Sequence, residues 1–181
     1  MNARLYLSLL LVVLAGCSGN LLEPDGREFE ITEQGEVRTE LKVNKDQFLS
    51  SVVGYGWKLD DAREILEDGS ISRKSYYPQD GGGPSAYFVE GSSITRYYDV
   101  THSLQTPHRV STKSYLFENS MVILEDGGII TLLSILKDRI TCVEQLLYSG
   151  SQSKPVYLYS VYKKMSEKEL DYYNETYMTN R

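Results

Sequence analysis

Turn signals recur through most of this chain at short intervals, and the apolar segments between them are too short for ordinary helices. Trp57 to Leu66 runs into Glu67-Asp68-Gly69, where Asp-Gly accepts the positive φ of a tight hairpin. Ile71 to Tyr77 then meets the breaker Pro78-Gln79-Asp80-Gly81-Gly82-Gly83-Pro84. Further segments span Ala86 to Glu90, Ser93 to Val100, Lys113 to Glu118, Met121 to Glu125, Ile129 to Leu136, Arg139 to Tyr148 and Val156 to Lys163. The junctions between them include Gly91-Ser92, Asn119-Ser120, Asp126-Gly127-Gly128 and Lys137-Asp138. Connections this short force antiparallel neighbours. The expected fold is therefore mainly β: an antiparallel up-and-down barrel of about eight to nine strands, closed because an open sheet would leave sticky edges.

A helix is expected on either side of this series. Asn44-Lys45-Asp46-Gln47 has the form of a capping box, and Phe48, Leu49, Val52 and Val53 give the short helix after it one apolar face. Ser166-Glu167-Lys168-Glu169 is a second box, followed by Leu170, Tyr173 and Tyr177 on one stripe, which suits a helix lying outside the sheet. Ile129-Ile130-Thr131-Leu132-Leu133 is apolar on both faces, so its outer face needs a cover, and the Phe48–Val53 helix is available to give it. Thr101 to Thr112 reads as a polar loop holding both histidines, His102 and His108.

The N-terminus carries a different message. Arg4 precedes an apolar run from Leu5 to Leu14, which has the form of an export signal. Ten residues of helix reach only about 15 Å, half the hydrocarbon core, so a permanent transmembrane helix is not expected. Leu14-Ala15-Gly16-Cys17 resembles the lipobox of bacterial lipoproteins, in which small residues admit the peptidase before a lipidated cysteine. The expected organisation is a signal peptide over residues 1–16, lipidated Cys17 with a flexible polar tether over 17–39, and one domain over 40–181. The chain would then be held at a membrane surface by the lipid on Cys17, where two or three acyl chains anchor firmly and one does not. Ser18 stands where an inner-membrane retention signal would have aspartate, which favours the outer membrane. Ser18 to Glu23 lacks the acidic cluster that resembles a surface-export tag, which favours its periplasmic face.

Net charge is −6, with no basic patch, which argues against nucleic acid as a partner. Of the two cysteines, lipidation of Cys17 leaves Cys142 without a disulfide partner. Ile140-Thr141-Cys142-Val143 reads as a core strand, which makes Cys142 a buried bystander rather than a reactive thiol. Tyrosine is unusually frequent, fifteen against four phenylalanines and one tryptophan, which fits either strand packing or an aromatic ligand lining.

The layout resembles the lipocalin-like lipoproteins of Bacteroides-type bacteria over roughly residues 44 to 177. The matching features are the lipobox, the helix ending in Gly56-Trp57, the spaced hairpins, and Tyr157 to Ser166 with its following Glu-Leu helix. The tripeptide at the first strand is Tyr55-Gly56-Trp57, where lipocalins carry Gly-x-Trp. The resemblance implies a barrel, and none of its motifs is catalytic; metal ligation by His102 and His108 would need further ligands nearby, and no metal or cofactor is expected.

There is no phosphate loop, nucleophile elbow or His-Glu-x-x-His. Asp60 and Asp61 are adjacent strand positions whose side chains point to opposite faces, a poor geometry for a carboxylate dyad. Two functions stay open. In the first, the barrel takes a small apolar or amphipathic ligand, with Trp57, Tyr87, Tyr97, Tyr115 and Tyr159 as aromatic candidates for its lining. In the second, an acidic, tyrosine-rich surface docks on a cell-envelope protein. Enzymatic activity is not expected. Whether the lumen is open or packed solid separates these readings best.

Overall fold

Among the described residues, eleven strands and two helices follow one another. They are β1 (Glu30–Ile31), β2 (Val37–Arg38), α1 (Lys45–Ser51), β3 (Tyr55–Ile65), β4 (Ile71–Ser75), β5 (Ala86–Val89), β6 (Ser93–Asp99), β7 (His108–Glu118), β8 (Met121–Leu124), β9 (Ile129–Ile135), β10 (Arg139–Leu146), β11 (Val156–Lys164) and α2 (Glu167–Met178). The computed structural model describes residues 29–32, 36–39, 42–76, 83–99, 108–146 and 155–178. The expected export signal, Cys17 and His102 lie outside the described residues.

β3 pairs antiparallel with both β4 and β5, each strand from β5 onward pairs antiparallel with the next, and β11 returns to pair with β3, Leu158 opposite Glu64 through to Lys164 opposite Trp57. The ring is closed. β4 and β5 lie along one edge of β3: Arg63 and Ile65 pair with β4, while Tyr55 to Lys58 pair with β5. They act as one return strand in two segments, with the Pro/Gly-rich stretch of the sequence between them. Nine strand segments thus make an eight-stranded up-and-down barrel, as the turn pattern predicts.

β7 differs from expectation. It begins at His108, where a polar loop through Thr112 was expected. The reason is the inner face of its first half, Arg109, Ser111 and Lys113, which is polar and leaves no apolar alternation to read. His108 is accordingly a strand residue, its ring 4.4 Å from that of Tyr177 and its Nδ1 3.2 Å from Asp99 Oδ1.

α1 closes one end of the barrel. Its cap is the expected one, with the Gln47 amide donating to Asn44 Oδ1 at 2.8 Å. Phe48 is 1% exposed, stacked on Phe117 at 4.4 Å and edge-on to Tyr115 at 5.8 Å. The chain entering α1 is pinned by Ser120 in the β7–β8 turn, whose hydroxyl accepts from the Val43 amide at 2.8 Å and donates to the Val43 carbonyl. Helix α1 therefore plugs the lumen and does not cover the outside of β9.

That cover comes from residues expected to be tether. β1 and β2 form a small hairpin whose Phe29 and Val37 are buried with Ile65, Ile71, Leu133 and Val143 on the outer face. Its polar composition hides it, because only alternate residues of so short a hairpin touch the barrel. α2 lies outside the sheet as expected, packing Tyr177, Tyr173 and Leu170 over Ala86, Tyr97 and Val110. Its capping box is formed: the Ser166 amide donates to Glu169 Oε2 at 2.9 Å and the Glu169 amide to Ser166 Oγ at 3.3 Å.

Candidate functional site

The lumen is divided into a packed half and an open half. Near α1, Phe48, Val52, Trp57, Val89, Ile94, Leu132 and Ile140 interdigitate around a void of only about 30 Å³. Trp57 is 1% exposed, and its indole N–H donates to the Val52 carbonyl at 3.2 Å. Toward the other end, where β6 leads to β7 and β8 turns into β9, a cavity of about 490 Å³ opens. That is within the usual range of small-molecule sites.

Strand alternation decides what lines it. On β6, Arg96 and Tyr98 face inward; on β7, Arg109 and Lys113; on β10, Glu144 and Leu146. Leu124 and Ile130 supply apolar wall, and Asp126 sits at the β8–β9 turn. The Arg96 guanidinium donates from Nη2 to Asp126 Oδ2 at 2.5 Å, while its Nε is buried with no partner among the described residues. The Arg109 guanidinium lies 4.5 Å from the centroid of the Tyr98 ring.

Glu144, at the boundary between the halves, is buried. Tyr162 donates its hydroxyl to Oε2 at 2.8 Å, and Tyr87 donates to Oε1. Burial pushes the Glu144 carboxyl above the ordinary carboxylate value, against the pull of the Ser160, Tyr87 and Tyr162 hydroxyls and the Arg96 cation. Burial likewise raises the phenols of Tyr87 and Tyr162, and the Glu144 charge adds to the rise. Cys142, free and buried, has its thiol raised by burial first and by Glu144 second.

Of the five aromatic candidates only Tyr87 lines the open cavity. Trp57 belongs to the packed half. Tyr115 lies edge-on to Phe48 and donates its hydroxyl to the Glu90 carbonyl at 2.7 Å. Tyr97 points outward beneath α2, donating to Asn174 Oδ1 at 2.6 Å, and Tyr159 points outward against Phe29. The polar lining, Arg96, Arg109, Lys113 and Glu144, was not singled out from the sequence. One signal for it existed: a lone carboxyl in the otherwise apolar run Cys142-Val143-Glu144, and Arg96 one position from buried Tyr97. Tyrosine furnishes little outer surface for docking: among the described residues only Tyr55 and Tyr172 are exposed. Asp60 and Asp61 form no dyad, Asp60 pairing with Lys163 at 2.7 Å and Asp61 with Arg63 at 2.8 Å.

No protein-family model and no curated protein matches the chain. Among solved structures it is similar to bovine odorant binding protein in complex with its natural ligand. The identity there is 11%, the TM-score 0.41, and the match covers 77% of this chain and 86% of that one. A deswapped triple mutant of the same bovine protein matches at 8% identity and TM-score 0.40, over 70% of this chain and 84% of that one. The barrel itself is established by its closed ring of strand pairings.

Proposed function

We propose that this chain is a small-molecule-binding barrel held at a membrane surface by lipid on Cys17. The observation that carries the binding reading is the asymmetry of the lumen: one half is plugged by α1 and packed, and the other opens into about 490 Å³. Packing both halves would have served stability better, since interiors are normally filled to crystal-like density. The wall is mixed, Leu124, Ile130 and Leu146 beside Arg96 and Tyr98, which suits an amphipathic guest. The anchor reading rests on the sequence Leu14-Ala15-Gly16-Cys17 behind an apolar run, and the outer membrane on Ser18.

Calorimetry on protein purified without detergent, with decanol as an apolar probe, tests binding. Saturable one-to-one uptake supports it; no uptake of any amphiphile and no co-purified small mass in native mass spectrometry overturn it. For the anchor, intact-mass measurement of the full chain expressed in a bacterium should find diacylglyceryl on Cys17. Soluble protein lacking acyl mass would refute that part.

A further inference from the structure

We infer that the open half of the barrel selects an amphiphile with a single anionic headgroup, a carboxylate, held by Arg96 and Arg109. This rests on reading that cavity as a ligand site. The chain as a whole is acidic, yet the cavity collects Arg96, Arg109 and Lys113 against only two carboxyls, Asp126 and Glu144. Burial disfavours the charged form of Glu144, which tips the balance inside further toward positive.

Arg96 is the decisive residue. Its side chain is 14% exposed, inside a barrel, with Nη2 on Asp126 and a buried Nε that has no partner among the described residues. Nε is closed off from the cavity, so a ligand oxygen would meet Arg96 at the guanidinium N–H groups that Asp126 does not take. A carboxylate makes charge-assisted hydrogen bonds to guanidinium N–H groups, stronger than those of a neutral alcohol, whereas an ammonium is repelled. The Arg109 guanidinium lies 4.5 Å and that of Arg96 5.9 Å from the centroid of the same Tyr98 ring, and among the described residues no carboxylate pairs with Arg109. The same cavity also has apolar wall, Leu124, Ile130 and Leu146, against which an alkyl chain would lie. Lys113 is partly engaged already, 3.5 Å from Glu125 Oε1 at the rim.

The test compares decanoate, decanol and decylammonium by calorimetry at neutral pH, all below their micelle concentrations. Decanoate is expected to bind about tenfold to a hundredfold more tightly than decanol, with decylammonium weakest. In Arg96→Gln the ratio of decanoate to decanol affinity should fall toward one. Arg109→Gln, a change at the solvent-facing rim that spares the core, should lower the same ratio by a smaller factor. Equal binding of decanoate and decanol, or preference for decylammonium, overturns the anion inference and leaves ligand binding standing. Failure of all three probes overturns the ligand reading itself.

Discussion

Gly69→Ala and Gly127→Ala form an internally controlled pair that tests whether the β1–β2 hairpin is part of the fold. The two glycines end identical tetrapeptides, Leu66-Glu67-Asp68-Gly69 and Leu124-Glu125-Asp126-Gly127. The turns they make match as well: φ is +84° and +87°, and each glycine amide donates to its leucine carbonyl at 2.9 Å. An alanine at either position is forced into the left-handed region, at about 1–2 kcal/mol. Beyond that the two differ. A Cβ on Gly127 meets nothing within 4 Å, whereas one on Gly69 would stand 2.5 Å from the Phe29 carbonyl oxygen. The colliding atom is backbone, and Phe29 is also tied there by its amide, which donates to the Gly69 carbonyl at 2.9 Å. The alanine can be accommodated only if the hairpin moves off, exposing Phe29 at about 1.5–3 kcal/mol for a fully buried side chain. Gly127→Ala should therefore lose about 1–2 kcal/mol and Gly69→Ala about 2.5–5 kcal/mol. Urea denaturation followed by the fluorescence of the single tryptophan gives both values. Amide hydrogen exchange at Phe29 and Thr32 should accelerate in Gly69→Ala alone. Equal losses, or unchanged protection at Phe29, would refute the hairpin's role as cover.

Three further outcomes follow from the packed half and its boundary. The folded pKa of Glu144 lies above the unfolded one, so the native state holds that proton more tightly, and its contribution is best in acid. Stability falls as pH rises from the ordinary carboxylate value through the raised folded value. Glu144→Gln lacks this dependence, so urea melts should show the variant gaining on the wild type as pH rises above the ordinary carboxylate value; a constant difference would contradict it. Phe48→Ala removes the plug's main contact and should cost about 3–5 kcal/mol in the same melts, and a loss under 1 kcal/mol would mean that α1 closes nothing. Cys142 should resist iodoacetamide in the native state and react on addition of urea, as its burial and raised thiol require; rapid native labelling would show the strand to be open.

Much of the barrel is legible before any coordinates. Asp-Gly at 68–69 and 126–127 and Asn119-Ser120 mark hairpins because few residues tolerate positive φ, and the strands between them fall where those turns require. The helix caps at Asn44 and Ser166 are local and equally readable. The site is not. Tyr97 and Tyr98 are adjacent and alike, yet one packs under α2 and the other faces the cavity, and a one-residue shift of register would exchange them. Nor does composition show that polar Arg109, Ser111 and Lys113 continue a strand, since their partners across the lumen are distant in sequence.

The repeated Leu-Glu-Asp-Gly marks the division. Sequence alone determines that both copies turn, with the same φ and the same hydrogen bond, because a tight turn is satisfied within four residues. Only the closed barrel decides what each turn meets. One lies under Phe29 and ties down the hairpin; the other carries Asp126 to Arg96 at the mouth of the cavity. Those contacts join residues some thirty or more apart in the chain, and which of them form depends on the ring closing between β3 and β11.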